Sequence, residues 1–83
     1  MSSAETTREE LAYLIGLLVD NPEELELHAE EDGDGYLFKV KVAEEDLGAV
    51  IGRRGRVARA LRSVLQARAQ WLGERYSLKI LDD

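Results

Sequence analysis

Val50-Ile51-Gly52-Arg53-Arg54-Gly55-Arg56-Val57-Ala58-Arg59-Ala60-Leu61-Arg62 sets how the rest of this 83-residue chain is read. Two glycines bracket a four-residue loop between a short apolar run and a longer run rich in alanine, leucine and arginine. Glycine adopts dihedrals that other residues avoid and has no side chain to hold a ligand backbone at a distance. A helix starting after Gly55 turns its unpaired N–H groups and positive dipole end toward the loop, a position that suits phosphate. Arg53, Arg54 and Arg56 add positive charge beside it. The first turn of this helix has no Ser, Thr, Asp or Asn cap and no acid. Arg56 and Arg59 have the wrong sign for the dipole, at about 0.3–1 kcal/mol each. A bound anion would offset that cost, and local rules are often broken at functional sites. A tight helix–helix turn with solvated arginines uses the same residue types, so composition leaves both readings open.

Working outward, Glu44-Glu45-Asp46 opens a short helix with three acids at the positive end of its dipole. Leu47, Val50 and Ile51 make its apolar stripe, and Gly52 stops it. Downstream, the spacing predicts a helix from about Gly55 to Leu72. Its apolar face is Val57, Ala60, Leu61, Val64, Leu65, Trp71 and Leu72, and Gly73 ends it. Tyr76, Leu78 and Ile80 alternate as a last strand. Farther upstream, 25–30 and 36–42 alternate apolar and polar residues around Asp32-Gly33-Asp34-Gly35, which reads as an antiparallel hairpin with one buried face. Leu11, Leu14, Ile15, Leu18 and Val19 predict a first helix, capped at Thr6 or Thr7 with Glu9 or Glu10 and closed by Asp20-Asn21-Pro22. The order is α-β-β-α-α-β, an α+β domain. Residues 1–6 are expected to form a disordered tail and 7–83 a single domain.

The net charge is −6, yet residues 47–73 hold six arginines and no acid. A basic segment inside an acidic chain marks either an interaction patch or a helix whose arginines pair with nearby acids. No cysteine is present, so disulfides and Cys-based zinc sites are excluded. No apolar run approaches the roughly 18 residues of a membrane span. The polar N-terminus lacks signal-peptide features, and a cytoplasmic protein is expected. His28 is the single histidine, and it has no nucleophile or metal-ligand set around it. No Walker A or dinucleotide glycine pattern occurs. The expectation is therefore a protein without catalysis, metal or cofactor.

The quoted stretch resembles the KH signature: Val50-Ile51-Gly52-x-x-Gly55, then a helix rich in small residues. The element order is similar to the type II arrangement. With Asp20-Asn21-Pro22-Glu23-Glu24 and Val42-Ala43-x-Glu45-Asp46-Leu47-Gly48, the resemblance extends over about residues 8–81 to the KhpA-type bacterial single-KH family. It implies a three-stranded sheet packed on helices and binding of single-stranded RNA. Gly52, Arg53, Arg54 and Gly55 would clamp about four nucleotides of backbone. Arg56 and Arg59 would reach phosphates. Of Val50 and Ile51, one would floor an apolar groove, with Leu47 and Val57 as walls. Val40 and Val42 on the middle strand would face either the core or the groove, with the core favoured. The resemblance also implies a homodimer or pairing with a larger KH partner, in RNA regulation or chaperoning. The rival reading is a protein-interaction module with secondary RNA affinity.

Some residues stand apart from this pattern. Arg68 falls on the apolar face of the long helix, where snorkelling, pairing with an acid or a subunit contact would accommodate it. Trp71 is expected in the core or an interface. Tyr13, Leu17 and Leu37 point away from their buried faces, and such residues could line a dimer surface.

Overall fold

The computed structural model describes residues 3–81. Its elements are α1 (Ser3–Gly16), β1 (Glu26–Asp32), β2 (Gly35–Lys41), α2 (Leu47–Ile51), α3 (Arg56–Leu72) and β3 (Tyr76–Ile80). Single 3-10 turns at Pro22–Glu24, Glu44–Asp46 and Arg53–Gly55 join them. The order is the α-β-β-α-α-β of a type II KH domain. Among the described residues, no helix is long and apolar enough to cross a membrane, and no group of His, Asp and Glu could hold a metal ion.

The sheet order is β1-β2-β3. β1 and β2 form the expected hairpin, in register from Glu26↔Lys41 to Asp32↔Gly35, with Gly33 at φ +65° in the turn. β2 and β3 are parallel, from Tyr36↔Tyr76 to Val40↔Ile80. A parallel pair needs a long crossover. Residues 42–75 supply it, and the Gly52–Gly55 loop lies inside that crossover.

Alternation sends Leu27, Phe38, Val40, Tyr76 and Leu78 into the core. Phe38 and Val40 have no exposed surface, because β2 is the central strand and the helices cover this face. The Tyr76 ring meets Phe38 edge-on, with centroids 5.0 Å apart. The opposite positions, among them Glu26, His28, Glu30 and Lys39, carry polar chains, with Lys39 3.0 Å from Glu30.

The helices depart from the sequence reading in three ways. α1 starts at Ser3, with Ala4 buried, so residues 3–6 belong to the helix; Met1 and Ser2 lie outside the described residues. Thr7 is no cap: it is buried within α1 and its hydroxyl donates to the Ser3 carbonyl at 2.8 Å. α1 also ends at Gly16, before Asp20, and a turn brings Val19 to the core while Leu14 and Leu18 stay over 40% exposed.

In α3 the buried line is Ala58, Leu61, Leu65 and Ala69. Val57, Val64 and Trp71 repeat every seven positions and form a different stripe, beside the seam. Val64 is 53% exposed and Trp71 86%, so Trp71 is not a core residue. Arg68 resolves by pairing: its guanidinium donates to Thr7 Oγ1 at 3.2 Å and to Glu10, which ties α3 to α1.

Candidate nucleic-acid interface

Between α2 and α3 the backbone leaves the helical region sharply. Gly52 has φ +79° and ψ 168°, and Gly55 has φ +74° and ψ 17°. Arg54, at φ +56° and ψ 26°, is the only non-glycine residue with positive φ among the described residues. Such backbone costs about 1–3 kcal/mol and gathers at binding and active sites. The Gly55 N–H donates to the Gly52 carbonyl at 3.0 Å, closing the turn.

The two glycines differ in what surrounds them. A Cβ on Gly52 would stand 2.7 Å from the Val57 amide nitrogen. On Gly55 it would meet only the Arg59 guanidinium, at 3.4 Å. Arg59 therefore folds back over the loop from the first turn of α3.

Arg53, Arg54, Arg56, Arg59 and Arg62 are all exposed. Among the described residues none of these five makes an ion pair or a side-chain hydrogen bond. The other three arginines do: Arg8 with Glu5, Arg68 with Glu10 and Arg75 with Asp34. Among the described residues the paired-arginine account of the basic segment thus holds for Arg68 alone. Arg62 was not among the expected site residues, although its spacing from Arg56 and Arg59 marks it as the next in the series.

Of the two apolar residues before the loop, Val50 has no exposed surface and belongs to the core, so it cannot touch a ligand directly. Ile51 is 37% exposed, and Leu47 and Val57 are half-buried. Val40 and Val42 are in the core.

Asp46 was read as one of three acids facing the α2 dipole. It is instead buried and makes no hydrogen bond to α2. Its Oδ1 accepts the Asp20 N–H at 3.0 Å, and its Oδ2 accepts the Asn21 N–H at 3.0 Å and Asn21 Nδ2 at 3.2 Å. The Asp20 N–H, with the Asn21 amide groups, holds this carboxyl below its usual pKa. No local pattern reveals the role, since the partners lie 25 and 26 positions earlier.

Away from the loop, a groove of about 480 Å³ runs between α1 and α3, lined by Tyr13, Leu14, Val64 and Leu65 with Glu9, Glu10 and Arg68. Tyr13, on α1, and Leu17, in the turn just after it, are both more than 60% exposed, while Leu37 is half-buried.

The family model described as KhpA/KhpB, KH domain matches residues 8–80. Curated relatives that bear the name RNA-binding protein KhpA include three from different bacteria. The one from Treponema pallidum is 46% identical over 79 residues, covering 93% of this chain and 98% of that protein. The one from Borreliella burgdorferi is 38% identical over 72 residues, covering 87% and 88%. The one from Leifsonia xyli subsp. xyli is 38% identical over 73 residues, covering 88% and 93%. No solved structure gives a significant match.

Proposed function

The chain belongs to the KhpA/KhpB KH-domain family, and from that premise we propose that it binds single-stranded RNA without catalysis, gripping the sugar-phosphate backbone at Gly52–Gly55. The observation that carries the reading is the group of five arginines on the loop and early α3 that no acid among the described residues neutralises. Gly52 and Gly55 give the backbone close approach, and the α3 N-terminus adds the attraction of its dipole. Arg53, Arg54, Arg56 and Arg59 reach the phosphates, and Arg62 extends their line. Ile51, with Leu47 beside it, offers apolar surface to a base. The protein acts in the cytoplasm, in RNA regulation or chaperoning.

Changing Arg53 and Arg54 together to Asp tests this. The expected result is lost binding to single-stranded RNA with circular dichroism and unfolding midpoint unchanged. RNA binding that survives the pair of changes means the loop is not the site. With about 3–5 phosphates neutralised, log affinity falls with log salt at a slope of roughly −2 to −3.5. A flat salt dependence counts against a phosphate clamp.

The groove between α1 and α3 favours a second activity alongside the first. Tyr13, Leu14 and Val64 line it and expose apolar surface together, the composition of a contact face. We assign to it self-association or pairing with a larger KH partner, and avidity from two loops raises RNA affinity. Val64→Asp is expected to abolish self-association in sedimentation while the Arg53→Asp, Arg54→Asp protein still associates.

A further inference from the structure

The helix that leads into the loop is short and buries little of itself, with Leu47 only partly packed against the core. α2 has five residues, of which only Val50 is buried. Apolar burial is non-directional, so Val50 sets the depth of α2 better than its tilt. At the far end of the loop, Val57 packs under Gly52. At the near end stands Asp46, 3% exposed and the only buried acid among the described residues.

Both carboxylate oxygens of Asp46 are committed to the connection between α1 and β1, through the Asp20 and Asn21 N–H groups and Asn21 Nδ2. Two of these donors are main-chain groups, whose positions do not relax with a side-chain rotamer. Two acceptors on a rigid carboxylate, held by adjacent amides, fix orientation as well as place. α2 then spans about 8 Å from Asp46 to the loop. A tilt of roughly 10° at its start would carry Gly52 through more than about 1 Å, beyond the roughly 0.5 Å tolerance of a preorganised site.

We propose that Asp46 is the positioning residue of the RNA clamp: anchored on Asp20 and Asn21, it aims α2 and so sets where Gly52–Gly55 meets a phosphate backbone. The inference rests on the loop being the RNA site. It assigns a binding role to a side chain that touches no ligand, and it makes the α1–β1 connection part of the clamp.

Asp46→Asn keeps the shape and puts a donor where one of the N–H groups now points. The expected result is about a tenfold loss of affinity for a labelled random-sequence single-stranded RNA. Amide hydrogen exchange at Gly52 and Gly55 should quicken, while the β2 amides of Phe38 and Val40 keep their protection. A merely structural residue would raise exchange in β2 along with the loop. Affinity within about twofold of the parent, or unchanged exchange at the loop, overturns the proposal. Should Asp46→Asn fail to fold, Asn21→Ala, which removes only the Nδ2 bond, decides by the same two readouts. Its expected effect is a smaller loss in affinity with faster loop exchange, and no change in either refutes the inference. The Arg53→Asp, Arg54→Asp protein separates the two readings. Binding kept there refutes the loop and this inference with it; binding lost there but kept in Asp46→Asn refutes this inference alone.

Discussion

Gly52 and Gly55 are the same residue for different reasons. Gly52, at ψ 168°, occupies a region that only glycine populates, and Val57 fills the space a Cβ would need. Gly55 lies in the left-handed region, which asparagine also visits, with only the end of a flexible arginine nearby. Gly52→Ala is therefore expected to cost about 2 kcal/mol or more in urea unfolding. Gly55→Asn should cost roughly 1 kcal/mol or less. Equal losses would mean that Val57 yields and that the Gly52 conformation is not what holds the turn. Arg54 is the converse case, a side chain kept in backbone better suited to glycine. Arg54→Gly relieves that strain, and a fall in RNA affinity without loss of stability would show what the arginine is for.

Among the elements, α3 shows most clearly what the sequence discloses. Its extent is legible from glycines at both ends and from helical spacing. Its buried face is only half legible, because size misleads. Trp71 and Val64 look like core residues, yet Ala58 and Ala69 are the buried ones. Ala69→Leu is expected to destabilise by about 1–3 kcal/mol through overpacking. Trp71→Ala should stay within about 0.5 kcal/mol. Chemical denaturation of both variants checks the assignment, and the reverse ranking would refute it. The strands read well because β alternation is strict: Phe38 and Val40 are where period two puts them. The loop was legible because its glycines and a run of arginines with no acid beside them stand out locally, although whether those arginines pair with distant acids was not. Asp46 was not, because its partners join it only after the chain has folded back.

For the molecule as a whole, charge and size set the terms. A domain of about this length buries only roughly 60% of its unfolded surface, so a single buried polar anchor weighs on its stability. Folding holds the Asp46 carboxyl below its usual value of 3.8, with the Asp20 N–H as the first cause. A depressed carboxylate contributes fully above the unfolded value and loses its contribution as pH falls through the folded one. Between about pH 5 and pH 2 the unfolding midpoint should thus fall more steeply in the parent than in Asp46→Asn. Parallel curves would mean that the carboxylate carries no linkage. Synthesis of the chain meets a different constraint, in the parallel pairing of β2 with β3. Until Tyr76–Ile80 has emerged from the ribosome, the central strand has a neighbour on one side only. Everything between, loop included, is made before the sheet can close around it, so the Gly52–Gly55 loop takes its place in the closed fold only after Tyr76–Ile80 has paired.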